Sequence, residues 1–122
     1  MAILALFTSP TMTKEQYDAL RKEIGWEVTH PPGGIFHVAG FGDSGGIHVA
    51  DVWESAEALN AFVGTKLMPA MQKANATPPS VVIYPVHNAT AYDTVDVYKA
   101  KSKPKPKGAA KSKAKAKGKK KK

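Results

Sequence analysis

Along residues 1–98 the spacing of apolar and polar positions changes from segment to segment, and each change marks an element. Residues 2–8 form a short apolar run closed by Ser9-Pro10, the pattern of a buried strand. From Thr13 the period lengthens. Tyr17, Leu20 and Ile24 fall on one helical face, while Lys14, Glu15, Arg21 and Lys22 lie elsewhere. Thr13 and Gln16 fit a capping box, and Gly25 supplies a stop, so a helix is expected over 13–25. Thr29-His30-Pro31-Pro32-Gly33-Gly34 reads as a loop. Ile35–Phe41 and Gly46–Trp53, joined by Gly42-Asp43-Ser44-Gly45, read as a hairpin in which neither strand has a wholly polar face. Both faces are therefore expected to be covered. Ser55 is a good N-cap for a second helix carrying Leu59, Phe62, Val63, Leu67 and Met71, with Pro69 expected to kink or split it. Ala76-Thr77-Pro78-Pro79 breaks the chain. Val81-Val82-Ile83-Tyr84 is β-branched and aromatic, a final strand running towards His87. Residues 89–98 alternate weakly, as an edge arm or a strand that contacts a partner would.

The resulting order, β-α-β-β-α-β, predicts an α+β, ferredoxin-like domain: an antiparallel sheet with both helices on one face. The other face needs a cover. A second copy of the same sheet is the economical one, so a homodimer is expected.

Charge divides the chain in two. The 122 residues carry a net +8. Residues 1–98 hold five Lys and Arg against ten Asp and Glu, a balance of −5, whereas residues 99–122 hold thirteen lysines and no acid. The first segment is expected to be one acidic folded domain and the second a disordered Lys-rich tail, since like charges repel and nothing larger than Ala is available to offset ordering entropy. An acidic domain is a poor nucleic-acid binder. Affinity for polyanions therefore belongs to the tail, whose Lys-Ser-Lys-Pro-Lys-Pro-Lys and Lys-Ala-Lys-Ala-Lys runs resemble the tails of linker histones and of some bacterial nucleoid proteins. Lys101, Lys103, Lys105, Lys107, Lys111, Lys113, Lys115 and Lys117 are the candidates for non-specific DNA or RNA binding by counterion release. Solubilisation, an anionic membrane surface or contact with the acidic domain are the competing uses. With no cysteine, disulfides, thiolate zinc sites and cysteine nucleophiles are excluded. The start Met1–Phe7 lacks a basic n-region and a cleavage site, and no segment approaches the ~20 apolar residues of a membrane span. The expectation is a soluble cytoplasmic protein, nucleoid-associated if the tail engages DNA. The sequons at Asn75 and Asn88 carry no weight without a secretion signal.

Four histidines are the candidate chemistry. With the hairpin centred on Asp43-Ser44, His37 would oppose Ala50 and His48 would oppose Ala39, placing both on one sheet face with Ile35, Phe41 and Val52, ~7–8 Å apart diagonally. His87 could join them from the last strand. For any single one, and for His30, the plain reading is a half-buried ring satisfied by a backbone carbonyl. Next stands a general base: an imidazole of pKa ~6.5 suits removal of a proton from a phenolic or enolisable substrate at neutral pH, so that the anion can pass an electron to O₂. A metal or haem ligand comes last, because no tight motif such as His-x₃-His is present, and no metal is expected. Asp51 shares a face with Trp53, where it would orient a histidine, pair with a cation or stay solvated. Glu54 and Glu57 suit the start of the second helix without any catalytic role. Gly33-Gly34 and Gly45-Gly46 match neither glycine-rich phosphate pattern.

The hairpin Ile35–Val52, the segment Val52-Trp53-Glu54-Ser55-Ala56-Glu57-Ala58-Leu59, the aromatic Phe62 and the stretch Leu67-Met68-Pro69 resemble the antibiotic biosynthesis monooxygenase-like family of dimeric α+β barrels. The resemblance spans about residues 2–90 and leaves out the tail. It implies a small barrel with a pocket between sheet and helices, used in some members for cofactor-free oxygenation of phenolic polyketides and in others for haem degradation. Trp53 matches the family's strand-end Trp; its catalytic Asn and Trp are not carried over. On this footing His37, His48 and His87 are the expected base or substrate contacts, Trp53, Phe62 and Phe36 the expected pocket wall, a small aromatic or enolisable molecule the expected substrate, and no cofactor is expected. The competing expectation is a non-enzymatic dimeric module that presents polybasic arms to nucleic acid.

Overall fold

The computed structural model describes residues 1–99. Contacts gather residues Met1–Thr90 into one compact unit and assign the chain from Ala91 onward to a second. The first unit contains β1 (Ile3–Ser9), α1 (Lys14–Ile24), β2 (Gly34–Phe41), β3 (Ile47–Trp53), α2 (Ala56–Phe62), a single π-helical turn (Val63–Leu67), α3 (Met68–Lys73) and β4 (Ser80–Pro85). The four strands form one antiparallel sheet in the order β2-β3-β1-β4. This is the expected ferredoxin-like α+β arrangement. In the second unit, residues 93–98 form a 3₁₀ helix instead of the expected arm or strand. Asp93 and Asp96 fall in its first turn, and Asp96 also pairs with Lys99 at 2.9 Å. The turn is closed by backbone bonds, the Val95 amide to the Tyr92 carbonyl and the Lys99 amide to the Asp96 carbonyl. The expected disordered tail, with Lys101 to Lys117, lies outside the described residues.

Local chemistry explains the elements. The Thr13 hydroxyl accepts from the Gln16 amide and the Gln16 side chain returns to the Thr13 amide, closing the capping box that starts α1. Gly25 ends the helix at φ 74°, a left-handed conformation that costs a glycine little. The second helix is divided by Pro69, but it does not break. Proline has no amide to donate, and its ring would strike the carbonyl four residues back. The turn Val63–Leu67 widens in response, so that the Met68 amide bonds to the Val63 carbonyl, one residue further than in an α-helix.

The helices cover one face of the sheet. Ile3, Ala5, Phe7, Trp53 and Leu59 form one buried cluster; Met12, Leu20, Ile47, Ala70 and Met71 form another beside it. The opposite face carries Leu4, Leu6, Phe36, Val38, Ala50, Val52, Val82 and Tyr84, which the strand register sets in adjacent rows. Leu6 is 36 % exposed, Val38 and Val82 49 %, and Tyr84 51 %. The face expected to need a cover is thus apolar and open in the single chain. Among the described residues no helix is long and apolar enough to cross a membrane.

The loop before β2 is held from two sides. A ring nitrogen of His30 is hydrogen-bonded to the Gly34 carbonyl, and the Glu54 amide donates to the Gly33 carbonyl at 2.8 Å. Gly33 sits at φ 84°, and a Cβ there would lie 2.5 Å from the Ala58 Cβ. Gly33→Ala combines backbone strain with a clash against α2. It is expected to lower stability by at least ~1–3 kcal/mol, read as a fall in the urea midpoint at unchanged slope.

Candidate functional site

The site begins with an acid on an apolar face. β3 alternates Ile47, Val49, Asp51, Trp53 towards the helices, and Asp51 is only 7 % exposed. A buried carboxylate needs donors. One oxygen accepts from the Trp53 indole N–H at 3.1 Å, and the other accepts from Nδ1–H of His37 on the neighbouring strand at 2.7 Å. A carboxylate can only accept, so the imidazole carries its proton on Nδ1 and leaves Nε2 as the acceptor in the neutral ring. That nitrogen lies 2.7 Å from the hydroxyl of Tyr17, which reaches down from α1. The phenol and imidazole planes differ by only 8°, with centroids 6.1 Å apart. The two rings thus run parallel and are joined through the hydroxyl, whose proton goes to the one ring nitrogen that Asp51 leaves free to accept.

Aromatic rings surround this chain of bonds. Trp26 lies 5.2 Å from His37 and 5.8 Å from Tyr17, and Phe41 meets Tyr17 edge-on at 6.1 Å. Beneath Asp51, Trp53 packs against Phe62 at 5.2 Å. Burial pushes the Tyr17 phenol up from 10.0 to about 12. The Arg21 guanidinium opposes this; Glu27, Asp51 and Asp18 add to it. Arg21 bonds Asp18 at 2.8 Å and Glu27 at 2.9 Å, contacts that hold its own pKa above the ordinary value.

The expected convergence of His37 with His48 is overturned. The loop spans Gly42–Gly46, with Gly45 and Gly46 at φ 91° and 86°, and the strands close at Phe41↔Ile47. This is one residue off the pairing inferred from the sequence. His37 therefore opposes Asp51, not Ala50, and His48 opposes Gly40, not Ala39. A slip of one residue sends alternate side chains to opposite faces. His37 joins the helix-covered face with Ala39 and Phe41. His48 goes to the open face beside Thr8, as do Phe36 and Val52. His87 lies beyond β4 in an open groove of ≈ 390 Å³ with Leu4, Val52, Pro85, Val86 and Asn88, apart from His37. Of the residues expected as pocket wall, Trp53 and Phe62 sit in the core under Asp51, and Phe36 lies on the opposite side of the sheet. His30 takes the plain structural role, bound to a backbone carbonyl. Among the described residues no group of three or more His, Asp or Glu side chains is placed to hold a metal ion.

Tyr17 and Trp26 went unsuspected in the sequence. Tyr17 reads there as one more apolar residue of α1, and only the true hairpin register, which faces His37 with Asp51, reveals its partner. The signal available in advance was Asp51 itself, an acid in the buried phase of a strand.

A phenol whose pKa is raised by folding stabilises the folded state below pH 10 and loses that contribution as the pH climbs. Wild-type stability is expected to decline between pH 10 and about 12. Tyr17→Phe should flatten that part of the profile, as read by urea denaturation at successive pH values.

No protein-family model matches the chain, and no curated protein matches it. Solved structures do. A candidate antibiotic biosynthesis monooxygenase of Chloroflexus aurantiacus J-10-fl superposes at TM-score 0.56 with 16 % identity, over 75 % of this chain and 98 % of that one. Another from Nitrosomonas europaea gives 0.58 with 13 % identity, over 74 % and 94 %. SnoaB of Streptomyces nogalater, a cofactor-independent oxygenase, gives 0.54 with 8 % identity, over 72 % and 94 %. The order of strands, the helices on one face and these superpositions together establish that the chain has the α+β fold of the antibiotic biosynthesis monooxygenases.

Proposed function

We propose that this protein is a cofactor-independent oxygenase acting on a small phenolic or enolisable molecule, and that His37 is its base. The observation that carries the reading is the pairing of His37 with the buried Asp51 inside an aromatic setting. Removal of a proton from a phenol or enol leaves an anion able to give an electron to O₂. The base then becomes imidazolium, which a carboxylate 2.7 Å away stabilises. Asp51 is largely buried, so its charge is screened less than one at the surface would be. The shared fold with SnoaB supports the same reaction class. His48 and His87, on the open face and in the groove, are left without a part in this step.

Two copies associate through their open sheet faces in this reading. Leu6, Phe36, Val38, Val82 and Tyr84 give one copy a contiguous apolar surface, and a two-fold axis lets the same surface serve both partners. Leu6→Glu places a charge in its middle. The mass measured by light scattering should fall from that of a pair to that of a single chain, and a pair that persists in the variant rejects this face.

Oxygen uptake with a panel of quinols and enolisable ketones tests the activity. Wild type should consume O₂, and His37→Ala should cut the rate by about 10²–10⁴-fold. Unchanged turnover in that variant removes His37 from the role.

A second reading concerns the lysines. Thirteen of them beyond residue 98, following 98 residues of net −5, favour non-specific attachment to nucleic acid. Gel shifts at rising salt should show full-length protein binding DNA and a 1–98 truncation failing to bind. Equal binding by both would discard the tail's role.

A further inference from the structure

Both nitrogens of the His37 ring are already engaged. Nδ1–H is committed to Asp51 at 2.7 Å, and Nε2 receives the Tyr17 hydroxyl at the same separation. The neutral ring has one acceptor lone pair, and while the Tyr17 hydroxyl holds it a substrate has none left to bond. Asp51 and the Trp53 indole close the inner end of the chain of bonds. The outer end, where Tyr17 meets His37, is exposed. There the phenolic oxygen, which donates its single proton to His37, keeps lone pairs free to accept another.

We propose that Tyr17 is the catalytic residue that meets the substrate, and that protons reach His37 only through it. This rests on the reading of the site as one that abstracts a proton. In the step, the substrate's C–H or O–H bond breaks and its electron pair stays behind as enolate or phenolate. A new O–H bond forms at Tyr17 Oη. The original Oη–H bond breaks, and its proton forms the Nε2–H bond of an imidazolium beside Asp51. Tyr17 gains one proton and loses one, so it never carries charge. That is the course favoured for a phenol whose burial opposes ionisation. No oxidant enters the step; O₂ acts afterwards, on the substrate anion.

The test is exchange of carbon-bound deuterium from a cyclic ketone into water under nitrogen, which reads proton abstraction without oxygenation. Wild type should catalyse the exchange. Tyr17→Phe, which keeps the ring and its neighbours, should lower it about 10²-fold. His37→Gln should do the same, and the double variant should lose no more than either alone. If Nε2 instead took protons directly, Tyr17→Phe would free it, and the rate would hold or rise; that result overturns the proposal, as does wild type that catalyses no exchange. A second measurement follows the ¹⁵N resonances of His37. In Tyr17→Phe the Nε2 signal should move towards that of an imine nitrogen without a donor, and an unmoved signal also overturns the proposal. Exchange without any O₂ uptake would remove the oxygenase reading and leave the relay intact.

Discussion

The buried carboxylate of Asp51 is the constraint around which the site is organised. It occupies a position where alternation calls for an apolar side chain, and a lone charge there would be costly. Two donors converge on it from different places: the indole two residues along the same strand and the imidazole directly across the ladder. Satisfying the acid therefore fixes the orientation of Trp53, the tautomer of His37 and, one bond further, the place of α1 over the sheet through Tyr17. Fold and chemistry share the same bonds. A change at Asp51 is felt both in the core beneath and in the polar chain above.

The sheet has two unlike faces because, among the described residues, the helices cover one and leave the other open. α1 and the α2–α3 rod bury Ile3, Ala5, Phe7 and Leu59, while the rows led by Leu4 and Leu6 wait for a cover. Pro69 shapes the rod through the wide turn before it, which lets Leu59 and Met71 both face inward across a position where a regular helix would have clashed.

The fold was legible because period, caps and breakers agreed. Thr13, Gln16 and Gly25 bracketed α1, and the four strands lay close to where β-branched and aromatic residues clustered. The site was only half legible. Asp51 stood two residues before Trp53 in the same phase, an acid that could orient a histidine. What failed was register. Gly45 and Gly46 both adopt left-handed geometry and add a residue to the hairpin loop. Nothing in the spacing of Val38, Ala39, Val49 and Ala50 opposes a slip, since small apolar residues fit either side. That single step separated His37 from His48 and concealed the contact with Asp51. Tyr17 could not be found at all without tertiary geometry, because its partner is twenty residues away.

The margin of the sheet carries a consequence of its own. β4 offers Val81, Val82, Ile83 and Tyr84 without a charged residue among them, on a strand that has one free side among the described residues. Such a border invites stacking of molecule upon molecule into fibrils. Pro79 stands immediately ahead of the strand and Pro85 forms its last residue, each lacking the amide that a growing ladder would need. The two rings leave so short a stretch for an incoming backbone that lateral growth is starved at both ends, a safeguard written into the chain without a single charge.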